Sequence, residues 1–281
     1  YIIKIKGEVM KGNLYLVATP IGNLDDITLR ALKVLKDVDI IAAEDTRHTL
    51  KLLNHFEISK PLISYHRHNE EDKSDVLIKK LLDGENIALV SDAGTPGISD
   101  PGEEIVKRAI ENDINIVPIP GACAMVNALI CSGISTKEFT FMGFLSLNKK
   151  LRQEQLNKIK DAEDTIIIYE APHKLSKTLS DLSKILDNRQ VVLARELTKI
   201  HEEYIRGTIK DIMIKSQNLR GEIVIIIEKN EQKKDAKTEL ASLDIEEQYK
   251  YYEKLGYEKK DIIKKIAKLR NVDKNEIYMK F

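Results

Sequence analysis

The chain has 281 residues, and its 45 Lys and Arg balance its 45 Asp and Glu, so the formal net charge is zero. Apolar residues make up 42% and charged residues 32%, a composition expected of a soluble globular chain of one large or two ordinary domains. No apolar run approaches the ~20 residues of a helical membrane span, and with no net charge any pull on nucleic acid must come from a local basic surface.

Residues 1–9 read as a tag remnant or an overextended start, with Met10 as the natural initiator. Asn13 to Ala18 reads as a buried strand ending in Thr19-Pro20-Ile21-Gly22-Asn23-Leu24. Asp25 or Asp26 can cap a helix over Ile27 to Lys36, and Val38 to Ala43 is again strand. This is a βαβ pattern, but its first turn lacks the Gly-x-Gly-x-x-Gly of a dinucleotide site. The second strand runs into Glu44-Asp45-Thr46-Arg47-His48, followed by a helix over Thr49 to His55. Pro61 to Tyr65 is a short strand ending in His66-Arg67-His68-Asn69, and Ser74 to Leu82 is helical.

Asn86 to Val90 is a strand, and Glu103 to Asn112 a helix. Between them lies Ser91-Asp92-Ala93-Gly94-Thr95-Pro96-Gly97-Ile98-Ser99-Asp100-Pro101-Gly102, a stretch of three glycines, two prolines and two carboxylates. Glycine allows close approach of backbone to a ligand and proline stiffens the loop, so this is a binding-loop candidate. Within it, Asp100 is expected to cap the next helix. Ile114 to Ile119 closes a five-strand parallel pattern at Pro120-Gly121-Ala122.

Cys123 to Ser132 reads as a helix carrying both cysteines, Cys123 and Cys131, too far apart along it for a disulfide. Reduced thiols and the lack of a secretory pattern suggest a cytoplasmic protein. Strands follow over Phe139 to Gly143, Thr165 to Glu170, Val191 to Arg195, Glu203 to Arg206 and Glu222 to Glu228. Helices fall at Lys149 to Lys160, Lys174 to Leu186 and 208–215. The short link between the strands at 191 and 203 suits an antiparallel pair, so the second sheet should be mixed. Residues 230–241 read as a linker, and 245–281 as a helical appendix with Ile262, Ile263, Ile266 and Leu269 at helical spacing. From 249 to 281, ten Lys and Arg face five Asp and Glu, which suits RNA contact or an ordinary solvated cap.

The expected architecture is α/β: a domain over 12–121 with a parallel sheet, a domain over 122–229 with a mixed sheet, and the appendix. Its polar and turn residues gather on strand-end loops, where sites tend to be built. No Gly-x-x-x-x-Gly-Lys-Ser/Thr and no Gly-x-Ser-x-Gly occurs, which argues against a P-loop NTPase and a hydrolase elbow. His66 and His68 lack a suitably spaced third ligand, so no metal is expected. Glu44, Asp45 and Asp92 can form an acid/base group or merely pair with cations, Arg47 with Glu44 for example.

Leu14 to Leu24, Ala42-Ala43-Glu44-Asp45-Thr46-Arg47 and Ser91 to Gly102 together resemble the small-subunit ribosomal RNA cytidine 2'-O-methyltransferases of the tetrapyrrole-methylase superfamily. Tyr169-Glu170-Ala171-Pro172-His173, Arg195-Glu196-Leu197-Thr198-Lys199, Glu202-Glu203 and Arg206-Gly207 extend the likeness over about residues 12–228. Ala171, where serine is usual, and Cys123, where a small residue is usual, depart from it. The resemblance implies S-adenosylmethionine in a cleft between two α/β domains, a homodimer, and a cytidine in the decoding region of small-subunit ribosomal RNA. It implies cofactor contacts from Pro20, Ile21, Asp92, Gly94, Thr95, Gly121, Ala122, Cys123, Tyr169, Ala194, Arg195, Gly221 and Glu222. Candidates for holding RNA are Gly22, Asn23, Arg47, His66, Arg67, His68, Asn69, His173 and Lys199. Glu44, Asp45 and Asp92 are candidates for the base that activates the ribose hydroxyl. Competing readings are methylation of a tetrapyrrole or modified histidine, and a module that binds RNA without catalysis.

Overall fold

The computed structural model describes residues 10–186, 188–217, 219–231 and 240–281. Residues 1–9, read above as a tag or extended start, and most of the expected linker lie outside the described residues. The first sheet contains β1 (Leu14–Val17), β2 (Ile40–Ala43), β3 (Leu62–Ser64), β4 (Ile87–Val90) and β5 (Ile116–Ile119), all parallel, in the order β3-β2-β4-β1-β5. Alternation along these strands sends Ile40, Ala42, Ile87 and Leu89 into one core, and Ile41, Ala43, Ala88 and Val90 into another on the opposite face. The central strands β2 and β4 are buried throughout, as a parallel sheet covered on both sides requires.

The covering helices are α1 (Leu29–Asp37), α2 (Thr46–His55), α3 (Glu70–Leu82) and α4 (Glu103–Glu111). Their starts correct the expected caps. Asp25 and Asp26 lie in a 3-10 turn capped by Asn23, and α1 is capped by the Thr28 hydroxyl, which accepts from Ala31 N at 3.1 Å. Helix α2 begins three residues early because Asp45 accepts from Arg47 N at 2.8 Å. Asp100 caps nothing: the residue before α4 is Gly102, with no side-chain cap.

Helix α5 (Ala124–Ile130) leads to the second sheet, with Cys123 and Cys131 flanking it rather than lying in it. That sheet contains β6 (Phe139–Phe144), β7 (Thr165–Glu170), β8 (Gln190–Arg195), β9 (Glu203–Thr208) and β10 (Ile223–Ile227), in the order β6-β7-β10-β8-β9. Only β6 and β7 pair in parallel; the other three pairings are antiparallel, so the sheet is mixed. Helices α6 (Lys149–Lys160), α7 (Pro172–Leu182) and α8 (Ile209–Lys215) cover one face over a core that includes Ile159, Ile168, Leu179, Leu193, Ile212 and Ile225. The other face, with Ile167, Val192, Ala194, Val224 and Ile226, packs against α5 and Ile21 of the β1 loop. The C-terminal segment forms α9 (Ile245–Lys254), α10 (Lys259–Arg270) and α11 (Lys274–Tyr278) around Ile262, Ile263, Ile266 and Ile277.

Candidate active site

Every strand of a parallel sheet ends on one edge, and ligands in such sheets bind beyond that edge. Here the loops after β1 and β4 are stapled together there. Thr19 N donates to Gly94 O at 2.8 Å, and Gly94 N donates to Thr19 O at 3.0 Å. Gly94 has φ +84°, a conformation that strains any other residue. The β5 loop closes on the same place: Thr95 Oγ1 donates to Ala122 O at 3.0 Å. A Cβ on Gly121 would stand 2.8 Å from Ala18 Cβ, so only glycine lets that loop lie against the end of β1.

Two cavities meet on this edge, sharing Ile21, Asp92, Ala93 and Glu222. The first, about 370 Å³, lies between the two sheets, with Gly94, Thr95, Ile98, Asp100 and Cys123 on one side and Phe144, Tyr169, Leu197 and Val224 on the other. Its described lining includes five carboxylates, Glu44, Asp92, Asp100, Glu170 and Glu222, and no Lys, Arg or His. The second, about 380 Å³, opens over α2 and adds Pro20, Gly22, His48, Lys51 and Lys199. One lobe is acidic and the other carries cations, and they join at Asp92 and Glu222.

Among the expected cofactor residues, Ile21, Asp92, Gly94, Thr95, Cys123, Tyr169 and Glu222 line the acidic lobe, and Pro20 lines the other. Gly121, Ala122, Ala194, Arg195 and Gly221 line neither lobe. Ala194 is fully buried and pairs with Val224 on β10. Arg195 is engaged by Glu203 at 3.1 Å and by Arg220 O at 3.1 Å. Gly221, φ +87°, lies against the Glu196 side chain. Tyr169 is locked in place: its hydroxyl accepts from Met125 N at 3.1 Å, its ring meets Phe141 and Phe144, and burial pushes its hydroxyl pKa up.

The carboxylates differ in state. Burial, then repulsion from Asp92, raises the Glu44 pKa from its ordinary value. Burial, then Glu44, pushes Asp100 up to about 6. Asp45 is the opposite case: the Arg47 guanidinium, 2.7 Å away, and the backbone of α2 hold it well below the ordinary range. Arg47 therefore pairs with Asp45 and not with Glu44, as its spacing had suggested. Asp92 accepts from Asp45 N at 3.0 Å, and Asp92 N points at Glu44 Oε2 at 3.5 Å, which holds Glu44 and Asp92 side by side.

Of the residues expected to hold RNA, Gly22 and Lys199 line the second lobe. Lys199 bridges Glu196 at 2.9 Å and Glu222 at 3.2 Å. Asn23 joins this loop through its backbone N–H, which donates to Thr198 Oγ1 at 3.0 Å. Arg47, Arg67, His68 and His173 are exposed and outside both lobes; Arg67 donates to Ser99 O, fastening the β3 loop to the β4 loop.

His66 and Asn69 form a defined pair. His66 N donates to Asn69 Oδ1 at 2.8 Å, and Asn69 Nδ2 faces Ser64 O at 3.3 Å and His66 Nε2 at 3.2 Å. An amide nitrogen only donates, so Nε2 accepts and the neutral ring carries its proton on Nδ1. That Nδ1 is buried with no partner among the described residues. The wall residues Phe144 and Leu197, and the second-lobe residues His48 and Lys51, were not among the expected site residues, although His48 and Leu197 stand in the strand-end stretches 44–48 and 195–199.

A model of the tetrapyrrole (corrin/porphyrin) methylases matches residues 13–213. Ribosomal RNA small subunit methyltransferase I of Halalkalibacterium halodurans is 49% identical over 271 residues, 95% of this chain and 94% of its own. The protein of that name from Synechocystis is 54% identical over 219 residues, 77% of this chain and 78% of its own. Among solved structures, uroporphyrin-III-C-methyltransferase from Thermus thermophilus superposes with a TM-score of 0.57 at 18% identity, covering 78% of this chain and 94% of that one. A cobalt precorrin-4 methyltransferase gives 0.59 at 17% identity, covering 77% and 94%. These two share the fold of the paired sheets. The extent of the family match and the identity to the curated relatives show that the chain belongs to the tetrapyrrole methylase family and, within it, to the ribosomal RNA small subunit methyltransferase I family.

Proposed function

We propose that the chain transfers a methyl group from S-adenosylmethionine to the ribose 2'-oxygen of a cytidine in the decoding region of small-subunit ribosomal RNA. The observation that carries this reading is the joined pair of lobes, one acidic and one bearing cations. S-adenosylmethionine carries a sulfonium and an ammonium, and it supplies an electrophilic methyl group. A lobe of five carboxylates without a described cationic side chain suits it and would repel a phosphate-bearing nucleotide. The second lobe, with His48, Lys51 and Lys199, suits the phosphates beside an RNA ribose. The relatives named as ribosomal RNA methyltransferases favour RNA over a tetrapyrrole. The reading includes a cytoplasmic homodimer, for which the exposed Phe144, Leu147 and Leu151 offer apolar surface.

Holding the two reactants in near-attack geometry is the chain's main task, and can contribute up to ~7–11 kcal/mol. Asp92, Asp100 and Glu222 attract the cation. Ile21, Phe144, Tyr169 and Leu197 exclude water, and the backbone of Gly94, Thr95 and Cys123 shapes the wall. Glu44 is the base in this reading: its raised pKa gives it a stronger proton affinity than an exposed carboxylate. It takes the 2'-hydroxyl proton as the oxygen becomes an ether. Asp45 is excluded from that role by its pairing with Arg47 and its cap on α2.

Asp100 gives a pH signature. Its pKa near 6 means that it is about half protonated at that pH without ligand, and a bound cation favours the ionised form. Cofactor binding at pH 6 therefore releases about half a proton, and almost none at pH 8. Calorimetry in buffers of different ionisation enthalpy reads this release, and Asp100→Asn removes most of it. Equal heats in all buffers at pH 6 would show that Asp100 does not face the cation. The function itself is tested with tritiated S-adenosylmethionine: label should enter small ribosomal subunits and not uroporphyrinogen. The reverse preference would overturn the reading.

A further inference from the structure

The C-terminal helices differ in charge from the remainder of the chain. Residues 249–281 carry a formal charge of +5, and because the whole is neutral the rest carries −5. A cavity of about 270 Å³ opens between α10 and α11, lined by Lys260, Ile263, Lys264, Lys274, Asn275 and Tyr278. Lys260 and Lys264 are one turn apart on α10 and so share a face. Lys274 comes from α11, and Ile263 belongs to the buried core beneath.

These lysines are weakly held. Lys264 has Asp261 at 3.6 Å, and among the described ion pairs none includes Lys260 or Lys274. Among the described residues, no carboxylate lines the cavity. Three other cations of this segment are engaged internally: Arg270 with Gln248 and Leu243 O, Lys265 over the Tyr257 ring at 4.3 Å, and Lys259 with Phe281 O and, at 5.9 Å, one face of the Tyr278 ring. The cavity thus gathers three of the segment's ten cations. It also holds an aromatic ring, since Tyr278 is 64% exposed, and an amide, Asn275.

Amines for phosphate, a ring for stacking and an amide for a base edge are the groups that bind single-stranded nucleic acid. An acidic peptide or a free phosphate would use the amines but not the ring. We propose that the α10–α11 cavity is a second RNA site, without catalysis, that holds a phosphodiester and one unstacked base of the substrate RNA. The proposal rests on the ribosomal RNA reading above and adds an anchor formed entirely by residues outside the two lobes. Affinity for the large substrate would come from the appendix, while the paired sheets supply the cofactor cleft.

The test uses the full chain with Lys260→Gln, Lys264→Gln and Lys274→Gln combined, and Tyr278→Ala separately. Glutamine keeps the helix propensity of lysine, so the fold should be retained. Fluorescence anisotropy measures binding to a labelled single-stranded RNA copied from the decoding region, over a range of salt. The triple variant should bind about tenfold more weakly, with the log–log salt slope reduced by about 2. Tyr278→Ala should bind about five- to tenfold more weakly with the slope unchanged. With small subunits KM should rise while kcat and cofactor affinity stay as in the wild type. RNA affinity and salt slope equal to the wild type in the triple variant would overturn the anchor. A wild-type chain that binds this RNA but methylates no subunit would instead overturn the ribosomal reading.

Discussion

Replacing Glu44 with Gln lowers the single-turnover rate of methyl transfer by about 10²–10⁴-fold, the range that a positioned general base contributes. The change keeps the shape of the side chain and an oxygen that can face Asp92 N, so the site should remain assembled. Cofactor affinity should therefore change far less than the rate. If Glu44→Gln keeps the wild-type single-turnover rate, Glu44 is not the base.

Arg152→Ala should destabilise the fold by about 3–5 kcal/mol, the usual effect of removing one partner from a buried ion pair. Arg152 is 8% exposed, and its Nε lies 2.9 Å from Asp181 Oδ2. Its Nη2 donates to Thr178 Oγ1 at 2.9 Å, and that hydroxyl donates in turn to Glu170. Glu170 also accepts from Ala171 N at 2.8 Å and lines the acidic lobe. The network thus ties α6 and α7 to the end of β7, where Tyr169 stands. Lys184, 3.4 Å from Asp181, compensates only part of the loss. Thermal unfolding should shift down by about 6–12 °C. A loss below about 1 kcal/mol would mean that the network does not brace this wall.

The alternation and turn chemistry of the chain were enough to place both sheets. Ile40 to Ala43 and Ile87 to Val90 are apolar at every position, which is what a doubly covered parallel strand requires. The density of Gly and Pro in residues 91–102 pointed to the loop that forms the shared wall of both lobes. Choices among local partners were not legible. Arg47 could reach Glu44 or Asp45, and the register of α2 selects Asp45. Asp100 stands just before a helix, as a cap would, but Gly102 occupies the cap position and leaves Asp100 facing the cleft. Thr28 rather than Asp25 or Asp26 starts α1, because a 3-10 turn separates them from it. Phe144 and Leu197 come from the second sheet and its loops, and become cleft wall only when the two sheets face each other.

In the proposed reaction the acceptor is a cytidine ribose in the decoding region. Mass-spectrometric mapping of small-subunit ribosomal RNA from cells with and without the gene tests it most directly. Without the gene, one cytidine of that region should lose its ribose methyl group, and re-expression of the wild-type chain, but not of Glu44→Gln, should restore it. A map unchanged by the deletion, or a lost methyl on a base instead of a ribose, would contradict this acceptor.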